Sequence, residues 1–147
     1  MAAVEESVEI ARSPEEVFAY LSELDRHGEW QAGIVSSRIV TPGATGPGTR
    51  VTDTRKMGGQ EREVTYEVVA FDPPHRVEFH VTDGPVRPKG VLKVEPLDGG
   101  TRSRVTLELD FEGHGPGRLL LPLVKREARR QVPQDQARLK ARLESGV

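Results

Sequence analysis

Residues 117–144 read GRLLLPLVKREARRQVPQDQARLKARLE, and this stretch decides the fold. Apolar residues recur at Leu120, Val124, Ala128, Val132, Leu139 and Leu143, in steps of four with one of seven. That spacing predicts a helix with a single apolar stripe. At about 1.5 Å per residue the helix would be roughly 40 Å long, which is too long for a local decoration on a chain of 147 residues. Pro122 and Pro133 interrupt the stripe. Each lacks an amide donor and crowds the preceding turn, so a bend or offset is expected at both, and the bend at Pro133 would act as a gate. The rest of the chain reads mainly as short strands, so the stripe should lie across a sheet. A long helix over a curved sheet makes a container, and the expectation is a molecule bound in a cavity between them.

Working outward, Val4, Val8 and Ile10 alternate with polar residues as a half-buried strand, with Glu6 out of place on the apolar side. Ser13-Pro14-Glu15-Glu16 then predicts a helix start, with Ser13 as cap, Pro14 in the first turn and Glu16 completing a capping box. Val17, Phe18, Leu21 and Leu24 give that helix its buried face. A break over 25–28 is followed by a second short helical piece over 29–32, carrying Trp30. Six more strands are expected at 34–41, 49–57, 60–71, 76–82, 86–97 and 101–112. Turn residues separate them: PGATGPG, Gly58-Gly59, Asp72-Pro73-Pro74, Asp83-Gly84-Pro85 and Asp98-Gly99-Gly100. Short turns imply antiparallel neighbours. The predicted class is α+β: a seven-stranded curved antiparallel sheet wrapped around a long C-terminal helix, with two short helices between strands 1 and 2, in a single domain over 1–147.

There are no cysteines, which removes disulfides and thiolate chemistry. The acidic start lacks the basic and apolar regions of a secretory signal, and no run approaches the roughly 18 apolar residues of a membrane span. A cytoplasmic protein is expected. The net charge of −2 hides an asymmetry. Residues 1–30 carry eight carboxylates against Arg12 and Arg26, whereas residues 118–147 carry eight basic side chains against Glu127, Asp135 and Glu144. Either the two ends face each other or are simply solvated, or Arg118, Lys125, Arg126, Arg129 and Arg130 form a basic face for nucleic acid or anionic lipid. No aromatics interleave with these residues, so nucleic acid is not expected.

The order strand, two short helices, six strands, long helix resembles the START-related helix-grip superfamily, the SRPBCC group. The resemblance is carried by SPEEVFAYLSELDRHGEW after the first strand, GTRV at 48–51, VTYEVVAFDPPHRVEFHV at 64–81, LDGGTRSRVTLEL at 97–109 and the closing helix. Within that group the chain is similar to the bacterial polyketide cyclase/dehydrase and lipid-transport branch. The resemblance implies a cavity for a small hydrophobic ligand such as a lipid or polyketide, and it permits aromatase/cyclase chemistry. It places Trp30 near one end of the cavity.

Strand alternation then nominates the lining. Val51 and Met57 share a parity with Asp53 and Arg55, which puts two opposite charges on the apolar side of their strand. Burying ions is costly unless they are paired or wet, and the alternative is that Arg50, Thr52 and Thr54 take that side. An inward Arg55 would orient a ligand carbonyl or carboxylate. Tyr66 shares a parity with Val64, Val68 and Ala70, so its phenol could fix a ligand by one hydrogen bond. Phe79, Leu92, Leu120 and Val124 complete the candidate ligand-binding set of Trp30, Val51, Asp53, Arg55, Tyr66, Phe79, Leu92, Leu120 and Val124. The four histidines read as turn or solvent residues, without metal-ligand spacing, so neither a metal nor another cofactor is expected. No nucleophile elbow, phosphate loop or dinucleotide fingerprint is present. Three functions remain open at this point: a hydrophobic-ligand module, a cyclase-like enzyme without a recognisable catalytic motif, and an interaction protein using the basic helix face. The oligomeric state, monomer or homodimer, is also open.

Overall fold

Seven strands form one antiparallel sheet in the order β1-β7-β6-β5-β4-β3-β2. They are β1 (Val4–Ile10), β2 (Ile34–Ile39), β3 (Arg50–Met57), β4 (Gln60–Asp72), β5 (Arg76–Val81), β6 (Val86–Leu97) and β7 (Arg102–Gly113). Helix α1 (Pro14–Leu21) and a 3₁₀ turn (Leu24–Glu29) link β1 to β2, and a second 3₁₀ turn (Gly115–Leu120) leads into α2 (Leu121–Glu144). The computed structural model describes residues 2–57 and 59–146, with Met57 as backbone only. The inward Met57 side chain expected from parity, and Gly58 of the predicted turn, lie outside the described residues.

Because β1 and β2 are opposite edges, the α1 connection must cross the whole width of the sheet. It does so on the same face as α2. Ile10, Val51, Val68, Val94 and Val105 from five strands pack with Val17, Phe18 and Leu21 of α1 and with Leu139 and Leu143 of α2 in one aliphatic core. Burial of such side chains supplies about 25 cal/mol per Å² of apolar surface. Helix α1 begins as the sequence predicts: Ser13 Oγ accepts from the Glu16 amide at 3.2 Å, and the Glu16 carboxylate meets the same hydroxyl.

Two expectations need correction. The second helical piece spans Leu24–Glu29 rather than 29–32, and Trp30 is its C-cap. Glu23, Arg26 and Glu29 explain the shift. A 3₁₀ turn has three residues per turn, so these three side chains stack, and Arg26 pairs with both acids. The second correction concerns the long helix. Pro122 sits in its first turn, where no amide donor is needed, and α2 runs on through Pro133. Val132, Gln136, Leu139 and Leu143 are buried, Val124 and Ala128 half-buried, and Leu120 is exposed. Leu120 belongs to the 3₁₀ turn, whose tighter winding takes it out of phase with the stripe, so it does not roof a cavity.

The C-terminal half of α2 is tied to the N-terminal region, mostly through backbone groups. Gln136 and Lys140 donate to the β1 carbonyls of Glu6 and Glu9, the Glu144 carboxylate accepts from the Ala11 amide, and Arg142 lies 3.4 Å from Glu29. Gln136 fills the gap in the apolar stripe and satisfies a carbonyl of an edge strand.

Candidate functional site

The faces of β3 are fixed by its neighbours. Arg50 pairs with Glu67 at 3.1 Å, and the Thr52 and Thr65 hydroxyls meet at 2.8 Å, all on the side away from the helices. Val51, Asp53 and Arg55 therefore take the helix side. Asp53 is only 2% exposed. Its Oδ1 accepts from Ser37 Oγ at 2.6 Å, and Oδ2 lies 3.6 Å from Arg55 Nη2. Arg55 keeps about a third of its side chain in solvent, and the same Nη2 donates to Gln31 Oε1 at 2.9 Å. A charge buried this deeply is tolerated because it gains a hydroxyl donor and a guanidinium together.

Two aromatic rings, His27 and Tyr66, lie within electrostatic reach of this ion pair. His27 is buried, with Nε2 donating to the Leu21 carbonyl at 2.8 Å. Burial pulls its pKa below the ordinary imidazole range, outweighing that bond and the nearby Asp53 carboxylate. The Trp30 ring tilts against it at 5.3 Å. Tyr66 stands opposite Val51 in the β3–β4 register and tilts against Phe79 at 5.6 Å. Burial first, and the Asp53 carboxylate second, push the Tyr66 phenol up, so it stays protonated.

Trp30 and Tyr66 are 4% and 8% exposed. Among the described residues, Trp30 Nε1 and Tyr66 Oη are the buried side-chain nitrogen and oxygen atoms without a hydrogen-bond partner. Buried polar atoms are nearly always paired, and an orphan costs about 1–3 kcal/mol. The Tyr66 hydroxyl lies within electrostatic reach of Asp53 and Arg55, whereas Trp30 packs on His27; Trp30 offers a donor only, while Tyr66 can donate or accept.

The apolar part of the site is graded. Val51 and Leu92 are buried, whereas Phe79, Val81 and Leu107 on the same sheet face are only partly so. The Phe79 ring lies across β6 at Gly90, where a Cβ would stand 2.2 Å from Phe79 Cζ. Near the start of α2, Val124 is half-buried and Leu120 is exposed. The structure thus brings Val51, Asp53, Arg55, Tyr66 and Phe79 together on neighbouring strands, with Trp30 against His27 at the rim. It leaves Leu120 outside. Sequence reading missed Ser37, Gln31 and His27. Ser37 was recoverable from the pairing of β2 with β3; nothing local signals that His27 is buried.

Two surface concavities, of about 300 and 390 Å³, flank α1 rather than the helix–sheet interface. The first is lined by Arg12, Tyr20, Arg26 and Leu143, the second by Phe18, Phe71, Pro73 and Pro74, and neither includes a predicted site residue. Among the described residues, no helix is long and apolar enough to cross a membrane, and no group of three His, Cys, Asp or Glu is placed to hold a metal ion.

The fold is shared with proteins of known structure. A START superfamily protein from Mycobacterium smegmatis matches with a TM-score of 0.80 at 20% identity, over 98% of each chain. The ZhuI aromatase/cyclase from Streptomyces sp. R1128 matches with a TM-score of 0.79 at 19% identity, over 96% of this chain and 92% of that one. In sequence, an uncharacterised protein of Mycobacterium tuberculosis H37Rv is 33% identical over 110 residues, covering 74% of this chain and 77% of its own. The family model for polyketide cyclase/dehydrase and lipid transport matches residues 1–144, so the helix-grip chain described above belongs to that family.

Proposed function

We propose that the protein binds a small hydrophobic molecule carrying a carbonyl or carboxylate, held between the first half of α2 and the sheet. The observation that carries this reading is the buried Tyr66 hydroxyl, which has no partner and lies within electrostatic reach of Asp53 and Arg55, with a second orphan at Trp30 Nε1. A carbonyl oxygen accepts from a phenol or an indole, so a ligand oxygen would satisfy the Tyr66 hydroxyl. Phe79, Val81 and Leu107 supply partly exposed apolar surface for the rest of the molecule, and covering it is worth about 25 cal/mol per Å². Such a site is mostly apolar with a few placed polar groups, as small-molecule sites generally are.

The test is a thermal-shift and native mass spectrometry screen pairing alkyl ketones and fatty acids with alkanes of equal length. The wild type should favour the carbonyl-bearing member of each pair. Tyr66→Phe removes a buried hydroxyl that has no partner, so unliganded stability should stay level or rise, by up to about 1–3 kcal/mol, while that preference falls about tenfold. A Tyr66→Phe protein destabilised by about 2 kcal/mol or more, or a wild type indifferent to the carbonyl, would sink the reading.

A second reading, cyclase-type catalysis, is favoured by one feature. Both contacts of Arg55 use Nη2, leaving Nε and Nη1 for a ligand oxygen among the described residues. A guanidinium donating to a carbonyl stabilises charge developing on that oxygen, as cyclisation of a poly-β-keto chain requires. A product profile unchanged by Arg55→Ala in a polyketide-forming system would leave binding alone.

A further inference from the structure

Leu119, Leu120 and Leu123 are 85%, 43% and 64% exposed, the three most conspicuous aliphatic side chains where the 3₁₀ turn enters α2. They do not serve the core. Nine residues, or two and a half helical turns, separate Leu123 from buried Val132, which puts the two on opposite sides of α2. The turn that presents them is held firmly. The His114 amide donates to the Pro85 carbonyl at 2.9 Å, and Gly117 sits so close that a Cβ would stand 2.0 Å from that oxygen. The leucines therefore cannot fold back onto the sheet without dismantling this seat.

Their surroundings are basic. Leu123, Arg126 and Arg130 share one face at i, i+3 and i+7. Arg130 is neutralised by Glu127, but Arg118 and Arg126 form no ion pair among the described residues. Glu112, the carboxylate on the strand leading into the turn, is held by Lys89 at 3.1 Å. Exposed leucines flanked by two unpaired cations, Arg118 and Arg126, match a bilayer with anionic headgroups: the side chains enter the acyl boundary while the cations meet phosphates. A second copy of the chain fits poorly, because a two-fold pairing of this patch would set the same cations against each other. Nucleic acid fits poorly as well, since the patch offers no aromatic ring for stacking.

We infer that this leucine–arginine turn docks the protein peripherally on anionic membranes. The test is co-sedimentation with phosphatidylcholine vesicles, with and without roughly 30% phosphatidylglycerol. The wild type should bind the anionic vesicles and be released by about 0.5 M salt. Because their targets are surface side chains, L119S/L123S and R118A/R126A should melt with the wild type, and each should weaken vesicle partitioning about tenfold or more. Equal partitioning onto neutral and anionic vesicles, no partitioning at all, or wild-type partitioning by either variant overturns the inference. Concentration-dependent dimerisation abolished by L119S/L123S, without vesicle binding, would assign the patch to a second copy instead.

Discussion

The Asp53–Arg55 pair allows a quantitative test of the site. At the 3.6 Å between Arg55 Nη2 and Asp53 Oδ2, two unit charges attract by about 4.6 kcal/mol at an effective dielectric constant near 20, and by about 1.2 kcal/mol in bulk water. Asp53 is buried, but Arg55 retains about a third of its side chain in solvent, so the screened end of that range governs. The expected coupling is about 1–2 kcal/mol. Arg55→Gln should cost more than Asp53→Asn. The first leaves a carboxylate buried with only the Ser37 hydroxyl, whereas the second puts a neutral amide at that position, still able to accept from Ser37. Urea denaturation of the two single variants and the double variant measures the cycle, provided m is unchanged. If the single losses add to within about 0.5 kcal/mol, the two groups act independently and the polar patch is not organised as described.

Two further predictions concern neighbouring features. The pKa of His27 is depressed on folding, so the unfolded chain binds the extra proton. The contribution is fully present above the unfolded pKa of about 6.5 and is lost as pH falls below it toward the folded value. Urea midpoints measured from neutral to mildly acid pH should therefore drop for the wild type and flatten for His27→Gln, and parallel profiles would contradict the buried neutral imidazole. Gly117→Ala would place a methyl 2.0 Å from the Pro85 carbonyl oxygen, a backbone atom that cannot rotate aside. A loss of about 1–3 kcal/mol is expected in thermal melts, and an unchanged melting temperature would show that the turn before α2 is not clamped.

The sheet was legible because its information is local. Period-two alternation and turn residues such as Asp98-Gly99-Gly100 set β6 and β7 to within a residue of their expected limits. Parity offered Asp53 and Arg55 as one of two inward sets for β3, whereas Ser37, which helps make the burial of Asp53 tolerable, needed the β2–β3 register. That register shifts between Ile34 and Ser36, an irregularity that no hydropathy pattern announces. The phase of the C-terminal stripe failed at Leu120 for a related reason. Four-residue spacing carries no sign that the chain winds as a 3₁₀ turn up to Leu120 and as an α-helix beyond it. His27 was the hardest to read, since it is held by the Leu21 carbonyl at the end of α1, a partner supplied by the fold rather than by spacing.

The distribution of ties along α2 bears on how a ligand would enter. Beyond Pro133, Gln136, Lys140, Arg142 and Glu144 all bond to the N-terminal region, and Leu139 and Leu143 are in the core. Before Pro133 the ties are fewer: Arg129 reaches the Ala3 carbonyl at 3.4 Å, and the helix start rests on the Gly117–Pro85 seat. Val124 and Ala128 between them are only half-buried. Displacing this first half exposes little new apolar surface, whereas displacing the second half opens the core and strips hydrogen bonds from an edge strand. Pro133 adds to the contrast, because it cannot donate to the carbonyl four residues earlier and so removes one rung between the halves. The least-anchored part of the helix is therefore its first half, and it begins at the turn that presents Leu119 and Leu123 to solvent.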